Sequence, residues 1–141
     1  MMKSSDRRAI GQTKAAGFQI GARKTFATLP HYAWDVLMSN EGVRLWLGEV
    51  TELRWEKGAR YQTSDGAAGK VRVISPGSHV RLTWQPRDWP DASTIQVRVI
   101  GSGEKTVISF HQERLPDAQT REQMRQRWQN VLADLEPLLN R

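Results

Sequence analysis

The sequence predicts an α+β fold of order β-α-α-β(about six)-α, in which a curved antiparallel sheet grips one long C-terminal helix. Three observations predict it. Residues 117–139 carry a single apolar stripe at helical spacing. Segments between 49 and 112 alternate apolar and polar residues at period two. The turns joining those segments are too short for parallel crossovers, so neighbouring strands run antiparallel.

The stripe consists of Met124, Trp128, Val131, Leu132, Leu135, Leu138 and Leu139, with Arg121, Glu122, Arg125, Arg127, Gln129, Asp134 and Glu136 on the other faces. Asp117 after Pro116, or Thr120 with Gln123 three residues on, can cap its start. Pro137 is expected to end or kink the helix near Glu136. At about 1.5 Å per residue the rod is roughly 30 Å long and needs an apolar surface to lie on.

The chain supplies that surface in order. Phe18, Ile20, Ala22, Lys24, Phe26 and Thr28 alternate with polar neighbours as a first strand. Pro30 suits a first helical turn, with Thr28 or Leu29 as the cap before it. Tyr32, Ala33, Val36 and Leu37 then recur at helical spacing beside Trp34. Ser39-Asn40 interrupts and can cap a second short helix over 41–47, which Gly48 is placed to end. Strands are predicted at 49–54, 59–63, 68–74, 79–85, 93–100 and 105–112. Lys57-Gly58, Ser64-Asp65-Gly66, Ser75-Pro76-Gly77, a Pro-rich loop around Trp89 and Gly101-Ser102-Gly103 separate them. Val71 with Val73, Val80 with Leu82 and Trp84, Ile95 with Val97 and Val99, and Ile108 with Phe110 are each in phase. One apolar face per strand implies one covered face.

A chain of 141 residues makes one domain, read as 17–141, preceded by a flexible basic arm at 1–16. The absence of cysteine excludes disulfides, thiolate metal sites and thiol catalysis. No apolar run is long enough for a membrane span, and the N-terminus lacks the apolar core of a signal peptide, so the expected setting is cytoplasmic, without membrane insertion. The net charge of +6 lies mostly in residues 1–24, where six basic residues face one acidic residue. The domain itself is nearly neutral, which argues against nucleic acid as a partner.

Few motifs carry chemistry. Gly103-Glu104-Lys105-Thr106 lacks the early glycine and following helix of a phosphate loop. His31, His79 and His111 sit on separate elements without metal spacing, and no serine occupies a GxSxG elbow. Glu49, Glu52, Glu113, His111, Arg44 and Tyr61 could converge for acid–base work, but ordinary surface ion pairs among Glu113, Arg114 and the helix residues Arg121 and Arg125 are the plainer expectation. No catalytic residue, metal or cofactor is assigned. The tryptophans say most: six of eleven aromatics, with Trp34, Trp46, Trp84 and Trp128 on or beside inward stripes of four elements. Trp55 and Trp89 read as turn or loop residues, Trp89 as a contact or gate if exposed.

Several short pieces, taken in order, carry a resemblance. They are Lys24-Thr25-Phe26 leading to Leu29-Pro30 and Trp34; Arg44-Leu45-Trp46-Leu47-Gly48; Lys57-Gly58 with Tyr61; Asp65-Gly66 with Gly69-Lys70-Val71; Pro76 with the Leu82/Trp84 strand; Lys105-Thr106; and Trp128 before Leu132 and Leu135. Over roughly 17–139 the chain resembles the helix-grip, START-like or Bet v-like fold of the SRPBCC superfamily. Within it, the chain is most similar to the family named after the C-terminal domain of the activator of the heat-shock protein ninety ATPase. The resemblance implies a cavity between sheet and long helix, used across the superfamily for lipids, polyketides, hormones or aromatic compounds, and in a few members for cyclase chemistry. The expected function is non-enzymatic binding of a hydrophobic or aromatic small molecule there, lined by Trp34, Trp46, Val71, Val73, Leu82, Trp84, Phe110, Met124 and Trp128. The alternatives are a chaperone-linked module with a protein partner and a polyketide cyclase-like enzyme.

Overall fold

The computed structural model describes residues 17–141, together with the backbone of Gln12–Thr13. The elements are β1 (Gln12–Thr13), β2 (Gly17–Phe26), α1 (Pro30–Met38), α2 (Asn40–Trp46), β3 (Arg60–Gln62), β4 (Ala68–Ser75), β5 (His79–Trp84), β6 (Ser93–Ser102), β7 (Lys105–Leu115) and α3 (Ala118–Leu139). The strands form one antiparallel sheet in the order β1-β2-β7-β6-β5-β4-β3. The α+β helix-grip architecture expected from the sequence is therefore present. β1 lies within the stretch read as an arm; the rest of that arm lies outside the described residues.

The helices begin and end as their residues dictate. Leu29 precedes Pro30 at the start of α1. The Ser39 hydroxyl accepts from Gly42 N at 3.1 Å and caps α2. Gly48, at φ +125°, closes α2 by donating to the Val43 carbonyl. Asp117 caps α3 by accepting from Thr120 N at 2.7 Å. Pro137 does not stop α3, which runs on to Leu139; the missing N–H costs one bond in a last turn already at the helix end.

Two sequence expectations fail locally. Residues 49–54 are not a strand, and only Val50 bridges to Thr63. Period-two alternation is necessary for a strand, but the ladder also needs a neighbour, and here β4 takes β3 instead. In β4 a register shift falls between Val71 and Val73. The extra residue reverses the phase, as a bulge does, so Val71 is fully buried while Val73 is 40% exposed.

The core lies between α3, α1, α2 and the inner face of the sheet. Trp128, Val131, Leu132, Leu135 and Leu139 of α3 are buried. They meet Leu82 and Trp84 of β5, Ile95, Val97 and Val99 of β6, and Ile108 and Phe110 of β7 in one cluster. α3 also lies along β2, where Arg121 donates to the Gln19 carbonyl at 2.7 Å and Lys24 pairs with Glu136 at 2.7 Å. None of the described helices is long and apolar enough to cross a membrane.

Two close approaches admit only glycine. A Cβ on Gly42 would stand 1.9 Å from the Val36 carbonyl oxygen, and one on Gly69 would stand 1.9 Å from that of Thr83. At Gly21 the nearest atoms would be at 3.8 Å. Gly42→Ala should destabilise the protein by about 1–3 kcal/mol, the usual cost of overpacking. Gly21→Ala should stay within about 0.5 kcal/mol of the parent, as a surface change does. Urea denaturation midpoints of the two variants check both.

Candidate functional site

Each inward aromatic is set by the periodicity of its own element. On α2, Val43, Trp46 and Leu47 share one side and are buried. On β7 the alternation Ile108, Phe110, Gln112 points inward. On α3 Trp128 heads the buried stripe, with Arg127 beside it. These residues form a continuous column. Trp55 stacks on Trp46 (6.1 Å, 22°), Trp46 tilts against Phe110 (6.3 Å, 46°), and Phe110 stacks on Trp128 (4.7 Å, 12°). The Arg127 guanidinium follows, 5.7 Å from the Trp128 ring and 5.0 Å from that of Trp84. Trp89 closes the column edge-on to Trp84 at 5.3 Å.

A polar chain crosses the same interior. Trp128 Nε1 donates to Gln112 Oε1 (3.0 Å), Gln112 Nε2 to Ser93 Oγ (2.9 Å), and Ser93 Oγ to the Trp84 carbonyl (2.8 Å). Trp46 Nε1 donates to the Leu37 carbonyl at 2.8 Å. Tyr61 donates to the Thr83 carbonyl at 2.5 Å. Burial holds the Tyr61 hydroxyl well above its usual pKa, against a smaller opposite pull from Arg127. Burial also pulls the Arg127 guanidinium below its usual value, opposed by Asp65 and Tyr61. Asp65 is held below the usual carboxylate range chiefly by the Thr63 hydroxyl.

Two hollows open beside this core. One, of about 380 Å³, is walled by Met38, Val43, Val50, Leu53 and Trp55, with Arg44 and Glu49 in its lining. The other, of about 910 Å³, is a broad trough over β3 and β4 that includes Glu52, Arg60, Gln62, Lys70 and Gln85. Neither is lined by any of the nine residues expected from the sequence. Trp46, Phe110, Trp128 and, through Arg127, Trp84 are brought together in the column. Val71 and Leu82 are buried register partners across β4 and β5. Trp34 and Met124 are half-buried beside the core, and Val73 faces outward. The acid–base candidates do not converge: Arg44 and Glu49 line the smaller hollow, Glu52 and Tyr61 the larger, and His111 contacts Gln19. The expected pairing of Glu113 with helix arginines is also absent among the described residues; Arg125 pairs with Glu122.

The alternation that places Phe110 inward also marks Gln112 two residues on, and Ser93 is in phase with Ile95. Their burial was available to a sequence reading that weighed polar residues on an apolar face. Arg127 gives no such signal, because it flanks the stripe as any solvated residue would.

Over residues 9–140 the sequence matches the family model described as Activator of Hsp90 ATPase homolog 1-like protein. No curated protein sequence is a match. Among solved structures, CalU16 from Micromonospora echinospora superposes with a TM-score of 0.72 at 18% identity, covering 83% of this chain and 73% of that one. An HSP90 activator from Plasmodium falciparum gives 0.72 at 20%, covering 86% and 96%. The Aha1 dimer from Colwellia psychrerythraea gives 0.70 at 17%, covering 86% and 95%. At these identities the likeness is one of fold.

Trp128→Phe keeps the stacked ring but leaves the buried Gln112 oxygen without its donor, and should cost about 1–3 kcal/mol. Adding Gln112→Leu removes the orphaned group, so the double variant should be more stable than the sum of the single changes implies. A double-mutant cycle by chemical denaturation measures this coupling; additive effects would show that the bond contributes nothing of its own.

Proposed function

This chain belongs to the family of Activator of Hsp90 ATPase homolog 1-like proteins, and from its fold and the hollow beside Trp55 we propose that it binds a hydrophobic or aromatic small molecule without transforming it. The carrying observation is the hollow itself. Its volume of about 380 Å³ falls in the range of small-molecule sites, roughly 300–1,000 Å³. Met38, Val43, Val50 and Leu53 supply apolar walls and Trp55 a flat face, while Asn40, Arg44, Glu49 and Thr51 supply polar groups that orient a guest. Trp55 is backed by Trp46 at 6.1 Å, so a planar guest would extend the aromatic column outward. A guest reaching deeper would have to part these two rings, and would then meet Phe110 and Trp128 between sheet and helix. The lack of cysteine fits a reducing, cytoplasmic setting.

The chaperone-linked alternative draws support from the HSP90 activator that shares the fold. It calls for a contiguous apolar patch. The exposed large hydrophobics among the described residues are Leu29 before α1, Val73 of β4 and Ile100 of β6; three partly exposed side chains are too few for such a patch, and this favours the small-molecule reading.

Nile red titrated into the protein should brighten and saturate. Leu53→Glu and Trp55→Ala should each weaken that binding by about ten-fold or more, equivalent to ~1.4 kcal/mol, in protein that circular dichroism shows to be still folded. Native mass spectrometry of freshly purified protein should show a small molecule carried through. A wild-type protein that leaves the dye dark, and carries only a stoichiometric protein partner, would overturn the reading in favour of the interaction module.

A further inference from the structure

The buried polar side chains of this core are paired with two exceptions. Thr63, Ser93, Thr106, Gln112, Trp46, Trp128 and Tyr61 all have partners. The exceptions among the described residues are Trp84 Nε1 and Arg127 Nε. Both are groups that can only donate, and they belong to residues in contact, the guanidinium carbon lying 5.0 Å from the Trp84 ring. A folded protein pairs nearly all its buried donors, so two orphans on touching residues need an explanation.

From this pairing we propose that Arg127 and Trp84 form a site for the carboxylate of an aromatic acid, covered by Trp89. Two donor-only groups ask for an acceptor, and the positive charge asks for an anionic one. The charge is not met from within. No described carboxylate lies within salt-bridge distance of Arg127, and Asp65 is engaged by Thr63 and attracts Arg127 only from a distance. The remaining contact of the guanidinium is a long one, from Nη2 to the Trp46 carbonyl at 3.5 Å.

The surroundings select the body of the ligand. The guanidinium lies against the faces of Trp84 and Trp128, so the neighbourhood of the charge is aromatic, which suits an aryl acid better than a hydrated inorganic anion. The approach is held by Trp89. Its ring is half-buried and edge-on to Trp84, on a loop fastened by Gln85 Nε2 donating to the Trp89 carbonyl at 2.9 Å and by Trp89 N donating to Pro86 O at 3.1 Å. Turning that one side chain uncovers Trp84 while the loop backbone keeps its bonds. This site stands on its own observation and does not depend on the hollow beside Trp55.

Calorimetric titration with 2-naphthoate, with the neutral isostere 2-acetylnaphthalene and with inorganic phosphate tests the proposal. Naphthoate should bind at least about ten-fold more tightly than the neutral compound, and phosphate should not bind measurably. Trp84→Phe, which keeps an aromatic ring but removes the N–H together with part of the indole, and Arg127→Met should each erase most of that preference. Naphthoate should move the Trp84 indole N–H resonance in the wild-type protein. In Leu53→Glu, which impairs the hollow beside Trp55, naphthoate should keep its preference over the neutral compound. Trp84→Phe and Trp128→Phe remove the same ring atoms from the core, but only Trp128 loses a paired donor, so the thermal midpoint should fall less for Trp84→Phe. Equal affinities for acid and isostere, or a preference that survives both variants, would overturn the site while leaving the hollow beside Trp55 untouched. A fall in midpoint for Trp84→Phe as large as that for Trp128→Phe would also overturn it, by showing the N–H already bound to a structural water.

Discussion

The docking of α3 depends on what the sheet does with one indole. Trp128 is fully buried, with its face on Phe110 and its N–H on Gln112. Burying an indole removes about 150–250 Å² from water, on the order of 4–6 kcal/mol as an upper estimate at ~25 cal/mol per Å². That gain survives only because the N–H finds an acceptor. Gln112 provides it, and is itself tied through Ser93 to the backbone of Trp84. One side chain of the helix is thereby referenced to three adjacent strands, β7, β6 and β5. Apolar contact alone would hold α3 on the sheet without fixing its axial position or rotation; the directional bond and the stacked ring supply both.

This arrangement decides how the interior is used. The space between sheet and helix is occupied by the protein's own aromatic groups from Trp55 to Trp89, with Arg127 inserted among them. The two sites proposed above therefore lie at the two ends of the column. At one end a hollow already stands open against Trp55; at the other a cation and an indole N–H lie under a side chain able to swing. The ends differ in chemistry, since the first sets Met38, Val43, Val50, Leu53 and Trp55 among polar groups of both charges and the second is defined by donors.

The periodicities of the chain made most of the fold legible, because burial of one face is what both helix and strand patterns record. Trp46, Trp84, Phe110 and Trp128 could be placed inward from spacing alone. Three features were less accessible, for separate reasons. The phase of β4 reverses at a register shift, so Val73 faces outward although it alternates with Val71; a bulge depends on the partner strand as well as on the residue run. Residues 49–54 alternate as a strand does, yet a ladder requires a free neighbouring edge. Arg127 adjoins the apolar stripe as an ordinary charged residue would, and its burial follows from where α2, β5 and the turn holding Asp65 come together in space.

The placement of α3 along β2 has a consequence beyond packing. Among the described residues, β2 pairs on its outer side with β1 through Gly17 and Phe18. The helix runs beside that margin, with Arg121 occupying the Gln19 carbonyl and the Lys24–Glu136 pair bridging further along. Open strand margins recruit foreign chains into shared ladders. Arg121 and the Lys24–Glu136 pair thus set long charged side chains along β2, the kind of decoration that discourages edge-to-edge pairing.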